Sequence, residues 1–189
     1  DNINVNESFL VQKGGDEISL KNQLVFIVKS LGVKLETTQT YLKIPISRED
    51  SSISKMYDGN YNLDLTSYFK SKFNFNAKFV YLKRTQSIGQ IRNAFDTKTL
   101  TVDLEYDIKD NLLLTANTNF LELNDRSYNV MNASLVYIPK SKRVSYKVAI
   151  NNFLNENQFA EQERNSFFVK FRTIPLRSLY LYFNVKYSF

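Results

Sequence analysis

The sequence predicts an all-β chain, a transmembrane antiparallel up-and-down β-barrel, and three observations carry that expectation. Apolar and polar residues alternate with a period of two over long stretches, while no stretch holds a helical period. The alternating stretches reach about ten residues or more, against roughly five or six for strands of soluble sheets. About ten residues are what a tilted strand needs to cross a bilayer. Finally, the tail Leu179-Tyr180-Leu181-Tyr182-Phe183-Asn184-Val185-Lys186-Tyr187-Ser188-Phe189 is apolar at every odd position and ends on a phenylalanine. An aromatic at a fraying terminus is out of place in water. At a membrane boundary it has no such conflict.

Taken in order, Ile3 to Gln12 is a possible first strand, followed by a turn at Gly14-Gly15. Ile18, Leu20, Leu24, Phe26 and Val28 form the next apolar row, blurred by Val25 and Ile27 on its polar side. Tyr61, Leu63 and Leu65 alternate with Asn62, Asp64 and Thr66, and Phe73, Phe75, Ala77, Phe79 and Tyr81 with Asn74, Asn76 and Lys78. Leu100, Val102, Leu104, Tyr106 and Ile108 oppose Thr101, Asp103, Glu105 and Asp107. Leu112, Leu114, Ala116, Thr118 and Phe120 share one face, opposite Thr115, Asn117 and Asn119. Met131, Ala133, Leu135 and Tyr137 make another row, as do Val144, Tyr146, Val148 and Ile150. Phe167 to Phe189 reads as one long strand interrupted near Pro175, which has no N–H for a ladder. The rival is a hairpin turning at Ile174-Pro175-Leu176-Arg177. The count is about nine strands, or ten with Ile3 to Gln12.

The connections alternate too. Lys29-Ser30-Leu31-Gly32, Lys70-Ser71-Lys72, Lys109-Asp110-Asn111 and Pro139-Lys140-Ser141-Lys142 are tight. Ser47 to Asp58, Thr85 to Asp96 and Leu154 to Asn165 are longer and polar, with Asn124 to Ser127 a short exception. Short turns at one end and long loops at the other are the asymmetry of outer-membrane barrels. On that reading every tight turn is periplasmic and the last strand runs inward.

Composition excludes several classes. The longest apolar run, Leu24 to Val28, is far short of the roughly 20 residues of a membrane helix. The opening Asp1-Asn2-Ile3-Asn4 has neither a charged leader nor an apolar core segment. With no cysteine and no histidine among 189 residues, disulfides, histidine-dependent nucleophilic triads and Cys/His zinc sites are excluded. The chain is therefore expected not to be an enzyme, and to use no cofactor or metal. The formal charge of +6 is scattered along the chain rather than gathered on one face, so a nucleic-acid partner is not expected.

Two stretches carry a family resemblance: Tyr128-Asn129-Val130-Met131-Asn132-Ala133-Ser134-Leu135-Val136-Tyr137 and Val148-Ala149-Ile150-Asn151-Asn152-Phe153-Leu154-Asn155. With Arg177 to Phe189 they resemble the carboxyl end of TonB-dependent outer-membrane transporters, most closely the Bacteroidetes-type barrel families, over about residues 97–189. In that family the penultimate strand commonly ends in an Asn-Asn-Leu-Phe-Asn-like sequence, to which Asn151 to Asn155 is similar. A long extracellular loop and an arginine-led last strand ending in an aromatic follow. Such barrels have about 22 strands around a plug. The resemblance therefore implies that residues 1–189 are a single carboxyl-terminal barrel segment without a plug, placed in the bacterial outer membrane. It also implies partners: membrane lipids, the remaining strands or a plug on the same or another chain, and a lipoprotein or energy-coupling protein. The activity implied is uptake of a nutrient without chemistry. A small complete ten-strand barrel, acting as a pore or an accessory subunit of an envelope complex, is a second reading. A soluble lipocalin-like barrel with its oily face inward is a third.

The candidate residues follow from the alternation. Leu179, Leu181, Phe183, Val185, Tyr187 and Phe189 are expected to face lipid. By resemblance, Phe183, Val185, Tyr187 and Phe189 would also be the signal read by the assembly machinery. Asp103, Glu105 and Asp107 form a lumen-facing carboxylate row, able to bind a cation or to pair with Lys78 on a neighbouring strand. A calcium site is not expected, because a strand row does not supply six oxygens. Tyr68, Phe69, Phe73, Tyr106, Tyr137 and Tyr187 are candidates for interfacial girdles, and the loop aromatics Tyr57 and Phe159 for stacking on a ligand.

Overall fold

The computed structural model describes residues 2–12, 17–45, 53–67, 72–123, 126–140, 143–164 and 169–187. Among them the chain is all β-strand, turn and link. The strands are β1 (Asn2–Gln12), β2 (Glu17–Val28), β3 (Leu31–Pro45), β4 (Ile53–Ser67), β5 (Phe73–Ile88), β6 (Ile91–Lys109), β7 (Leu112–Leu123), β8 (Arg126–Tyr137), β9 (Val144–Asn151), β10 (Gln158–Arg164), β11 (Val169–Pro175) and β12 (Tyr180–Tyr187). Strands β1 to β9 lie side by side in sequence order, β12 follows β9, and β10 pairs with β11 alone. The ladders are antiparallel, so the main sheet is an up-and-down meander of nine strands with β12 as the tenth. Among the described residues no ladder joins β1 to β12, and the sheet is open at both edges.

Register follows the period of two. Ile18, Leu20, Leu24, Phe26 and Val28 stand opposite Tyr41, Gln39, Leu35, Val33 and Leu31, which puts the oily residues of both strands on one face. Val25 falls opposite Lys34 and Ile27 opposite Gly32, on the polar face. These two residues explain the blur in the sequence pattern. On β1, Ile3, Val5, Phe9 and Val11 occupy register positions opposite Phe26, Leu24, Leu20 and Ile18. Ile3 to Gln12 thus forms a full strand.

Several expectations change. The link Thr85 to Asp96 is almost entirely strand: β5 runs to Ile88, β6 starts at Ile91, and Gly89-Gln90 turns between them. Gly89 has φ +58°, a conformation that costs glycine little. The alternation fades here because Ile88, Ile91, Ala94 and Phe95 fall on both parities among polar residues, not because the chain leaves the sheet. A two-residue turn also sits at the end where long loops were expected, so loop length alone does not separate the ends. Strand β4 begins at Ile53, inside the expected link Ser47 to Asp58, and the link Leu154 to Asn165 contains β10. The stretch Phe167 to Phe189 is two strands in two sheets. From Val169 to Pro175 it pairs with β10, and from Tyr180 to Tyr187 with β9. The rival hairpin at Ile174 to Arg177 is absent: β11 and β12 are not neighbours. The Gly14-Gly15 turn, Tyr68, Phe69, Lys70, Ser71, Asn124, Ser141, Lys142, Asn165, Phe167 and Phe189 lie outside the described residues.

Two compact units emerge from the contacts: Asp1–Thr66 with Lys78–Thr99 and Glu122–Asp125, and Ser67–Ala77 with Leu100–Leu121 and Arg126–Phe189. Strands β4 to β7 contribute residues to both.

Candidate functional site

In the first unit one face is built from polar groups. Arg84 of β5 is 5% exposed and donates from Nε to Asp58 Oδ1 of β4 at 2.6 Å and from Nη2 to Asp58 Oδ2 at 2.5 Å. A buried arginine is tolerable only with such a two-point partner. Gln86 donates to Ser54 at 3.3 Å, and Ser19 and Thr40 share a hydrogen bond at 3.1 Å. Glu36 receives Lys21 and Lys34 at 2.9 Å each. Asn60 and Asp64 each hold a buried oxygen with no protein partner. That face is thus suited to water or to a polar occupant. The opposite face carries the stacked rings of Tyr61 and Tyr81, centroids 5.8 Å apart, and exposed Ile18 and Leu35.

The second unit repeats the division. Its polar face holds a connected run of amides and hydroxyls. Thr101 donates to Asn119 Oδ1 at 3.1 Å, and Asn119 donates to Asn117 Oδ1 at 3.4 Å. Asn117 donates to Asp103 at 2.8 Å and accepts from Asn132 at 3.1 Å. Asn132 Oδ1 in turn accepts the backbone N–H of Asn152 at 2.9 Å. Thr115 and Ser134 share a hydrogen bond at 2.8 Å beside this run. The opposite face is oily and exposed. Phe183 lies opposite Val148, which lies opposite Leu135; Val185 lies opposite Tyr146, which lies opposite Tyr137. The rings Tyr137, Tyr146 and Phe183 stack in a row at 6.3 Å spacings across β8, β9 and β12.

Several large apolar side chains are exposed and several polar ones buried. Leu181 is 70% and Phe183 64% exposed, while Ser134, Asn152, Ser54, Ser67, Arg84 and Thr97 are buried. The buried apolar residues among those described are few: Met56, Leu121, Tyr128, Ala149 and Ala160.

Of the expected residues, Leu179, Leu181, Val185 and Tyr187 are exposed beside Phe183. Strand β12 is exposed on both faces, as an edge strand is. Asp103 is tied into the amide run through Asn117, whereas Glu105 and Asp107 are exposed at the same parity of β6. Lys78 is exposed on β5, six residues before Arg84 at the same parity. The described ion pairs, Lys21–Glu36, Lys34–Glu36, Arg84–Asp58 and Lys98–Glu122, include none of these four. Among the described residues no group of acidic side chains is arranged to hold a metal. Phe73, Tyr106 and Tyr137 are exposed near strand ends, where girdle residues would stand. Tyr57 and Phe159 are not loop residues. Tyr57 lies within β4 with its hydroxyl 3.3 Å from that of Tyr61, and Phe159 lies in β10 with its ring edge-on to Tyr128 at 6.2 Å.

The sequence singles out Asn151 to Asn155 by resemblance but not the structural role of Asn152. Asn152 is 4% exposed and held at φ +52°. Its Nδ2 donates to the carbonyls of Glu156 at 2.6 Å and Arg177 at 2.7 Å, while its Oδ1 accepts the Glu156 N–H at 2.9 Å. Asn155, at φ +57°, donates its N–H to the Asn152 carbonyl and accepts the Leu179 N–H on its Oδ1. The motif therefore clasps the base of the β10–β11 hairpin. Asparagine is favoured there because it tolerates positive φ and bonds nearby backbone.

At the turn end of the second unit, Lys72, Lys109, Lys140, Asp110 and the apolar Ile138 and Pro139 line a cleft of about 1060 Å³. Backbone bonds from Asp107 N–H to the Lys72 carbonyl (2.6 Å) and Ile138 N–H to the Asn111 carbonyl (2.9 Å) fix its walls. Compared with known families and with curated proteins, the chain matches no family model and no curated protein.

Proposed function

We propose that this chain is a membrane-spanning portion of a bacterial outer-membrane β-barrel, of the TonB-dependent transporter kind, which passes a nutrient without chemistry. One observation carries the reading: the oily face of each unit exposes large apolar side chains, while the polar face is cross-linked by hydrogen bonds and ion pairs. In water such a face would be costly, at about 25 cal/mol for each Å² of apolar surface. In hydrocarbon it costs nothing. A lipocalin-like barrel requires the reverse orientation, with oil inside and polar groups out.

The open edges at β1 and β12 support further strands, from this protein or a partner, because unpaired backbone groups in lipid cost several kcal/mol each. The resemblance of Asn151 to Asn155 supports the transporter kind, while the terminal strand supports an outer-membrane barrel in general. Fractionation tests the reading: the protein should sediment with outer membranes and require detergent for extraction. Quantitative release into buffer by salt or alkali alone would overturn it.

A further inference from the structure

The first unit has a second feature on its oily face, beyond the apolar rows. Tyr41, Lys55, Tyr57, Thr85, Ser87 and Arg92 line a cleft of about 430 Å³. Parity places it. Tyr41 stands opposite Ile18, on the apolar side of the β2–β3 pair. Lys55 and Tyr57 alternate with buried Ser54 and Met56 and share the parity of Tyr61, Leu63 and Leu65. Thr85 and Ser87 share the parity of Phe79 and Tyr81, and the Tyr61–Tyr81 stack shows that these rows of β4 and β5 lie on one face. The cleft therefore opens on the oily face, close to the Gly89-Gln90 turn that contributes to its wall. The hydroxyl of Tyr57 reaches to 3.3 Å from that of Tyr61, so one tyrosine pair joins the polar cleft to the aromatic stack.

Its charge is positive. Lys55 and Arg92 are exposed in the lining, and Lys83 is exposed at the same parity of β5. Against them stand Asp96, exposed on β6, and Glu122, already held by Lys98 at 2.7 Å. Cations, hydroxyls and amphipathic rings directly beyond an oily surface are the groups that meet a phosphate at a bilayer boundary.

We propose that this cleft binds the phosphate of an anionic phospholipid headgroup, whose acyl chains lie along the Tyr61, Leu63 and Tyr81 side of the same face. The proposal rests on the reading of that face as lipid-facing. Arg92 supplies a planar two-point donor for the phosphate and Lys55 a point charge, with Thr85 and Ser87 within the same lining to donate to the remaining oxygens.

The protein, extracted from its membrane in detergent, is reconstituted into phosphatidylcholine bilayers doped with phosphatidylglycerol. It is then re-extracted, and the phosphatidylglycerol retained per chain is measured. Each cation near an anionic surface is worth roughly a factor of five in affinity. The double variant Lys55→Gln/Arg92→Gln should therefore retain about 25-fold less, while Lys21→Gln, on the polar face, should match the parent. Equal retention by the double variant and the parent, with both inserted in the bilayer, would overturn the headgroup site and leave the membrane reading standing. Failure of the parent to insert at all would overturn the membrane reading and the site with it. Loss of retained lipid on adding inorganic phosphate alone, at equal ionic strength, would reassign the cleft to free phosphate and overturn the lipid claim.

Discussion

Asn152 accepts one backbone N–H and donates to two carbonyls from a nearly buried position, so its removal strands three main-chain groups at once. Asn152→Ala should cost about 2–4 kcal/mol, combining unsatisfied buried polar groups with a strained left-handed backbone. Asn152→Gly should recover only the backbone part, about 1 kcal/mol. Denaturant titrations of the protein in lipid vesicles check both, and equal stability of the glycine variant and the parent would show that the clasp contributes nothing. Facing can be tested by single residues as well. Phe183→Lys should cost about 2–4 kcal/mol if that ring lies near the bilayer midplane. Asn184→Gln, directly opposite Lys147 on the other face, should be close to neutral in the same titration. Equal costs would contradict the assignment of the two faces.

At the scale of an element, β4 shows how side chains on adjacent turns of the pleat depend on one another. A Cβ at Gly59 would sit 2.9 Å from the Tyr61 ring, which lies over the glycine and reaches toward Tyr57. Gly59→Ala should destabilise by about 1–3 kcal/mol, and much less in a Tyr61→Ala background, where the ring is gone. Additivity in that double-mutant cycle would mean that the ring does not rest on Gly59. The pair Arg84–Asp58 joins β5 to β4 on the enclosed face, with side-chain exposures of 5% and 15%. Arg84→Met alone should cost about 3–5 kcal/mol by leaving Asp58 uncompensated, whereas Arg84→Met with Asp58→Leu should restore most of that. Refolding midpoints of the two variants are the measurement.

For the molecule as a whole, the two-faced construction makes a pattern that can be read chemically. The chain contains no cysteine, so single cysteines report their own surroundings. Leu35→Cys, Leu114→Cys, Leu135→Cys and Phe183→Cys should react with a lipid-soluble maleimide in intact vesicles. Thr38→Cys, Asn119→Cys and Lys147→Cys should react with a water-soluble one, since polar positions look toward an aqueous side. The reverse pattern would place the oily face inside and end the transporter proposal. The open edges add a second expectation at this scale: cross-linking from β12 should capture a neighbouring strand rather than solvent alone.

Much of this architecture was legible in the residues themselves. The period of two fixes which side chain faces which way, because a strand places alternate side chains on opposite faces. Leu104, Leu135 and Phe183 thus belong to apolar rows and Asp103 to a polar one by the sequence alone. Tertiary structure decided what depends on neighbours distant in sequence. The stretch around Gly89 continues as strand because β5 and β6 are hydrogen-bonded neighbours on either side of the turn, a fact to which hydropathy is blind. Pro175 ends β11 while Tyr180 begins a different ladder, because β9 leaves its edge for β12 and β10 takes the intervening chain. Asn132, Asn117 and Asn152 become one hydrogen-bonded run only through the register of β7, β8 and β9. Alternation is a local property of the chain; pairing is a long-range one, and only the fold brings the partners together.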